Sequence, residues 1–442
     1  MAVSRGFASC SRGGAEQLAM AGSSNSPGSA GFLFKRTASA WSPLHEPLFR
    51  SLWAASLISY TGTWMQNVGA GWLMTQLTLS PLMISLVQAA ATVPVFLAIL
   101  PAGVLADLVD RRRFLIITQT WMVLASAALG VMTLWHRITP WSLLLFTFLL
   151  GLGAVMNDPA WQAITPEIVS PEQHAPAVAL NSVGFNVARA VGPAVGGFIV
   201  ASAGSGTAFL INAISFFGVI FFLYRWKRPR PEIESTERMT DAMRAGLRYG
   251  RDTHLVHCVL IRTGAFSLAA SSLLALLPVI ARPHGAAGYG ILLASFGLGA
   301  LVGGVALPHL RHKLNVDGLI VACILLFAGM IFASGQLHEF ISLNFALFGA
   351  GAGWIGILAS LNVAAQIMSP PHLRARALSM YLLVLQGGMA VGSVIWGAFA
   401  SSVGIPETMM ISALALLAGL FMVKNYALSS IELAFAPPAL PD

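Results

Sequence analysis

Twelve apolar stretches, each long enough to supply the ~20 residues a helix needs to cross a bilayer, constrain this chain more than any other feature. One long basic segment divides them into two sets of six. Hydrophobic residues make up 56% of the chain and charged residues 10%. A soluble domain carries about 25% charge and has nowhere to bury so much apolar surface. A bilayer accepts it, because a helix satisfies its own backbone while crossing ~30 Å of hydrocarbon. The expected fold class is an all-α membrane protein of twelve transmembrane helices in two pseudo-symmetric bundles of six.

The apolar runs place the spans at roughly 50–76, 81–105, 113–135, 140–164, 176–202 and 206–226, then 254–281, 287–308, 316–335, 340–367, 374–402 and 406–426. With the N-terminus in the cytosol, 21 of the 25 lysines and arginines fall on cytosolic segments, in keeping with the positive-inside rule. Arg137 and Arg282 fall outside, and Arg189 and Arg262 lie within spans. Moving one span out of register scrambles this division, so both termini are expected to be cytosolic. The expected organisation is a disordered cytosolic tail over 1–45, a first bundle over 46–226, a cytosolic linker over 227–253, a second bundle over 254–427 and a tail over 428–442. The basic residues follow a membrane face and not a groove, which points to lipid and away from nucleic acid as a partner.

Within the linker, Met239, Met243 and Leu247 recur every four residues, with Arg244, Arg248 and Arg251 between them. This suits an amphipathic helix on the inner membrane face, or equally a solvated linker helix. The two halves also repeat weakly. Gln162, Thr165 and Pro166 at the end of span four mirror Gln366, Ser369 and Pro370 at the end of span ten. Like-oriented six-helix halves are one known transporter design, with the substrate site between them at mid-membrane.

Other chemistry is poorly supported. Cys10, Cys258 and Cys323 lie far apart and suggest neither a disulfide framework nor a thiolate metal site. His254, His257 and Cys258 sit at a membrane boundary without a third strong ligand, so no metal is expected. There is no His-Glu-x-x-His run, no Gly-x-Ser-x-Gly elbow and no Walker lysine motif. An enzyme is therefore not expected. Without a nucleotide site or cofactor, transport must draw on an ion gradient or on the substrate's own gradient.

The loop after span two reads Gly103-Val-Leu-Ala-Asp107-Leu-Val-Asp110-Arg111-Arg112-Arg113. A carboxylate at a helix end beside three guanidiniums can form charge-assisted hydrogen bonds in one conformation and lose them in another. Positive-inside anchoring with one helix-end acid explains the same run equally well. The segment resembles the loop 2–3 signature of the major facilitator superfamily, Gly-x-Leu-Ala-Asp-Arg-x-Gly-Arg-Arg. Gly103, Leu105, Ala106, Asp107, Arg111 and Arg112 match it. Leu108 replaces an Arg and Asp110 a Gly, which shifts the family's charge relay onto Arg111. The resemblance implies that Asp107 engages the start of span eleven, near Arg374 and Arg376, in the outward-facing state.

Span five carries Arg189, Gly192, Pro193, Gly196 and Gly197 at a spacing that lets helices touch backbones. The run resembles the antiporter motif of superfamily exporters, with Ala188 in place of an earlier glycine. Together with Gly62–Gln66, Asn181–Gly197 and Leu276–Arg282, it is similar to the bacterial branch of enterobactin exporters and macrolide-efflux proteins. The resemblance covers about residues 45–427. It implies a secondary exporter of a small amphiphilic molecule (siderophore, macrolide or drug-like), driven by proton antiport across the bacterial cytoplasmic membrane. A facilitator or proton-coupled importer on the same fold is the alternative, and a membrane sensor or enzyme a distant one. The working unit is expected to be a monomer.

A charge at mid-membrane is expensive unless paired or wetted, so each is a functional candidate. Arg189 lies ~20 Å into span five and Arg262 ~12 Å into span seven at ~1.5 Å per residue. Asp158 is the one carboxylate placed well inside a span. It is expected either to couple proton entry to export or to form a static pair with Arg189 or Arg262. Trp64, Met65, Gln66 and Asn67 of span one, with Trp354, Asn362 and Gln366 of span ten, offer aromatic, thioether and amide surface for a large amphiphile. Hydrogen bonding between helices accounts for the amides equally well.

Overall fold

The computed structural model describes residues 39–226, 254–311, 313–367 and 374–422. They are helical almost throughout, with no strand among them. Three helices open on proline, whose missing N–H costs nothing in a first turn: α1 (Pro47–Leu77), α2 (Pro81–Leu108) and α4 (Pro140–Ile168). Asp110 caps α3 (Arg111–Leu134) by accepting from the Arg113 N–H at 2.8 Å. Thr139 and Ser142 form a capping box at the start of α4.

A continuous helical segment, His174–Arg225, then folds back at Gly204. Gly204 adopts φ 80° and ψ 163°, a conformation essentially confined to glycine. The segment is therefore two spans, α5 (174–203) and α6 (205–225). The remaining helices are α7 (His254–Ile280), α8 (Gly285–Arg311), α9 (Val316–Gln336), α10 (Phe340–Ile367), α11 (Arg374–Val403) and α12 (Ile405–Met422).

Nine stretches among the described residues are long and apolar enough to cross a membrane. One of them, Pro171–Arg225, covers both α5 and α6. α12 has a shorter apolar stretch, Ile405–Phe421, and α1 does not meet the same threshold because it carries many polar residues. That polarity has a structural reason, because part of α1 lines a cavity.

The first six helices pack mainly against one another, with α1 on α5 and α6, α2 on α4, and α3 on α4 and α6. In the second six, α7 packs on α11 and α12, α8 on α10, and α9 on α10 and α12. The sets meet where α5 lies on α8 and where α2 lies on α11. Because successive helices alternate in direction, Arg111–Arg113, Arg225, Arg311 and Arg374 all lie at one end of the bundle, the basic face. Arg137, Gly204, Arg282 and Gly404 lie at the other, the opposite face.

Residues 39–45, expected within a disordered tail, are ordered. Ser42–His45 forms a 3-10 helix, Leu44 packs by Phe49, and Gln173 donates to the Ser42 carbonyl at 3.4 Å. The linker with Met239, Met243 and Leu247 lies outside the described residues.

Candidate functional site

Helix α1 turns Ser56, Ser59, Tyr60, Thr63, Trp64 and Asn67 to one side, a stripe at three- and four-residue spacing. These side chains line a cavity of about 170 Å³ inside the first set of helices. Gln119 and Met122 of α3, Asn157, Asp158 and Trp161 of α4, and Phe185 of α5 complete most of its wall. Phe185 meets Tyr60 edge-on at 5.4 Å and Trp64 at 6.3 Å between ring centroids.

Asp158 lines this cavity with its side chain exposed to it. Among the described residues it has no ion-pair partner. Its neighbour Asn157 is held from below, accepting from Gln119 Nε2 at 3.0 Å. Two further wall atoms, Gln119 Oε1 and Trp161 Nε1, are buried without a hydrogen-bond partner. The wall thus offers a carboxylate, an acceptor and a donor among aromatic surfaces.

The expected partners of Asp158 are engaged elsewhere. Arg262 donates to Asp317 Oδ1 at 2.6 Å, which joins α7 to α9 within the second set. Asp317 lies in the first turn of α9, where the helix N-terminus itself favours a carboxylate. That position makes it a better partner than Asp158 in the other set. Arg189 places its guanidinium 5.9 Å from the Trp64 ring centroid, a cation–π contact at the edge of the cavity.

The other substrate candidates separate by helix face. Trp64 and Asn67 line the cavity. Met65 is buried against Gly196. Gln66 is buried too, and its Oε1 accepts from Ser126 Oγ at 2.7 Å and Asn212 Nδ2 at 2.5 Å. Trp354 is enclosed by Phe266, Phe296 and Phe327 in the core of the second set. Asn362 accepts from Gln366 Nε2 at 2.6 Å, one turn on, and neither lines the cavity. Tyr60, Gln119, Asn157, Trp161 and Phe185 were missed in the sequence. The stripe on α1 was a usable signal for Tyr60, whereas the others converge from separate helices.

The glycines of α5 make the seam between helices. Gly192 and Gly196 face Trp64 and Met65 of α1. Gly197 faces Gly290 of α8 so closely that a Cβ on Gly197 would stand 2.8 Å from the Gly290 Cα. Pro193 lacks the N–H that would bond the Arg189 carbonyl, and Gly297 of α8 packs there instead. Towards the opposite face, Leu82 N–H donates to Ser401 Oγ at 3.2 Å, joining α2 to α11. Trp72 stacks on Tyr289 at 6.5 Å. These contacts between the sets cluster from mid-bundle to the opposite face.

Two of the loop 2–3 arginines make contacts inside the first set. Arg111 donates to Glu167 Oε1 at 2.9 Å. Arg112 donates to the Leu223 and Tyr224 carbonyls at 2.8 and 2.7 Å, capping α6. A Cβ on Gly103 would meet nothing within 4 Å. Arg374 is exposed, and the side chains of Asp107 and Arg376 lie outside the described residues.

The same helix arrangement occurs in solved transporters. A bacterial homolog of the human lysosomal transporter Spinster, solved in an inward-facing, occupied conformation, superposes with TM-score 0.70. The two share 14% identity over 88% of this chain and 98% of that one. The nucleoside transporter NupG gives TM-score 0.65 at 13% identity, over 86% of this chain and 98% of its own. The fold is that of a major facilitator transporter.

The chain belongs to the transmembrane secretion effector family, whose model matches residues 38–439. Relatives include the staphyloferrin A transporter of Staphylococcus aureus, 23% identical over 82% of this chain and 92% of the relative. The multidrug efflux pump Tap of Mycolicibacterium fortuitum is 26% identical over 88% and 98%. The enterobactin exporter EntS of Escherichia coli is 24% identical over 80% and 85%. The chain is accordingly a multi-pass membrane transporter of the exporter type, with a small-molecule substrate, and its family is not one of enzymes.

Proposed function

We propose that this protein exports a small amphiphilic molecule across the bacterial cytoplasmic membrane by proton antiport, with the basic face and both termini in the cytosol. The observation that carries this reading is Asp158, a carboxylate without an ion-pair partner among the described residues, on the wall of an aromatic cavity. A carboxylate hydrated in one state of a cycle and enclosed in another takes up and releases a proton as its surroundings change. Contacts near the opposite face support a state closed on that side, from which the cavity is reached through the basic face. Residues 46–226 and 254–427 rock against each other between this state and its converse, without a cofactor and as a monomer.

Tyr60, Trp64 and Phe185 supply flat apolar surface, and Asn67 and Gln119 supply amides. At about 170 Å³ the cavity is smaller than the ~300–1,000 Å³ pockets of drug-sized ligands. It therefore takes one end of the substrate, and the rest extends along the interface between the sets. A siderophore or a drug-like amphiphile fits this division, in line with the names its relatives carry.

The test uses inside-out vesicles with an acid interior and a pH-sensitive dye. Catecholate siderophores, macrolides and lipophilic amines are added in turn. Proton release that depends on one compound and disappears in Asp158→Asn supports antiport through this residue. Release that survives in the variant removes Asp158 from the mechanism. Compound uptake without proton release favours a facilitator.

A further inference from the structure

Arg189 stands near the middle of α5, about 20 Å from its start at ~1.5 Å per residue. Helix α5 has two distinct faces at this depth. Val183, Val187 and Val191 recur every four residues and are exposed, as lipid-facing residues are. Phe185 lies one turn before Arg189 on a different face and lines the cavity around Asp158. Arg189 shares the face of Phe185. Its guanidinium lies 5.9 Å from the ring centroid of Trp64, which lines the same cavity. Its backbone meets the second set of helices, where a Cβ on Gly297 of α8 would stand 3.0 Å from the Arg189 carbonyl oxygen. Arg189 therefore sits at the rim of the cavity, where the two sets meet.

This guanidinium is poorly compensated. Among the described residues its side chain has no hydrogen bond and no ion pair. The contact with Trp64 is near the ~6 Å limit at which a cation–π interaction counts, and it occupies none of the five N–H donors. A charge within a membrane span is costly unless it is paired or wetted. Asp158 lies on the same cavity wall and does not pair with it. The position that the substrate's outer part must occupy, along the interface between the sets, thus holds an unused positive charge.

The chemistry of that charge selects among amphiphiles. The planar fork of a guanidinium matches a carboxylate, which accepts two parallel hydrogen bonds from it. An ammonium is repelled there, and a neutral amide brings no charge to offset. A doubly charged group would leave its second negative charge facing Asp158. Resting on the export reading above, we propose that the exported amphiphile carries a carboxylate. The carboxylate binds Arg189 between the sets, and the apolar end lies against Tyr60, Trp64 and Phe185. Arg189 then selects the substrate, and Asp158 is left to carry the proton.

The test is scintillation-proximity binding to the purified full-length protein. The probes are tritiated naphthylbutyrate, its primary amide and naphthylbutylamine. The acid is expected to bind about tenfold more tightly than the amide, a difference of about 1.4 kcal/mol, and the amine less tightly than either. Arg189→Gln should erase the preference for the acid and leave amide binding in place. Arg189→Lys, a point charge without the fork, should keep part of the preference. Loss of acid and amide binding together, in an Arg189→Gln protein that is still folded, would mean that the guanidinium only holds Trp64 in place, and would overturn the proposal. An acid bound no better than its amide by the unaltered protein, or an amine bound best, would overturn it as well, even if Arg189→Gln fails to fold. Binding needs no proton gradient, so the absence of proton release in the vesicle assay would count against antiport and not against this site.

Discussion

Arg282 donates to the carbonyl oxygen of Thr78 at 2.7 Å, and the same nitrogen reaches the Thr75 carbonyl at 3.2 Å. A guanidinium just beyond α7 thus satisfies carbonyls at the end of α1, in the other set of helices. Those carbonyls have no helical donor of their own, and the C-terminal end of a helix attracts a cation. The bond joins the two sets at the opposite face.

Arg282→Ala should weaken that closure. Hydrogen bonds from a charged donor contribute about 1.5–3 kcal/mol, so the equilibrium should move towards opening by about tenfold or more. The measurement is alkylation of Ala286→Cys, at a seam position that is 6% exposed, in a background without Cys10, Cys258 and Cys323. Faster labelling after Arg282→Ala is expected, with Arg282→Lys in between. Unchanged labelling would show that the contact holds nothing.

Glycine positions should separate sharply. A Cβ on Gly197 would stand 2.8 Å from the Gly290 Cα, and one on Gly290 2.6 Å from the Gly197 Cα. In both cases the obstacle is backbone. Gly197→Ala and Gly290→Ala should therefore abolish transport while the protein still inserts, with Ala286→Cys labelled more readily. Gly103→Ala meets open space in this state. Its transport in this assay should stay near wild type unless another state brings a helix against it.

Residues 66 and 67 are adjacent in sequence and about 100° apart on a helix with 3.6 residues per turn. Gln66→Leu strips Asn212 Nδ2 of its acceptor and leaves the Ser126 hydroxyl with the Phe209 carbonyl alone. It should destabilise the protein by about 1–3 kcal/mol, visible as a lower melting temperature in detergent. Asn67 lines the cavity. Asn67→Leu should instead change transport kinetics, with little change in melting.

The same pair shows what the sequence could and could not disclose. The apolar runs and turn residues made the spans legible, because a bilayer imposes length and composition on each helix separately. The cavity depends on rotation about each helix axis. Trp64 and Asn67 line it and Met65 and Gln66 do not, because four consecutive residues point around the helix whereas the cavity wall takes a three- and four-residue stripe. The partner of Arg262 was missed because Asp317 sits at a span end, and nothing in the order of residues places α9 beside α7. The division at Gly204 was legible as a gap between spans, but its tightness was not.

Charge pairing in the second set yields a further expectation. Arg262→Met alone takes the guanidinium away from Asp317 in a largely apolar setting, and breaking a buried pair costs about 3–5 kcal/mol. Asp317→Leu, added second, should restore much of that stability. A thermal-melting cycle over the two single variants and the double variant measures this. Additive losses would mean that the ion pair is not what stabilises this corner.

The turns on the opposite face carry one more consequence. Among the described residues, Gly204 alone divides α5 from α6, Gly404 alone divides α11 from α12, and no other connection there exceeds five residues. A lid needs slack, and none is present. Access from that side must be governed by helix ends parting as rigid bodies. An antibody or a protease approaching it meets only tight corners, with little chain to grip or cut.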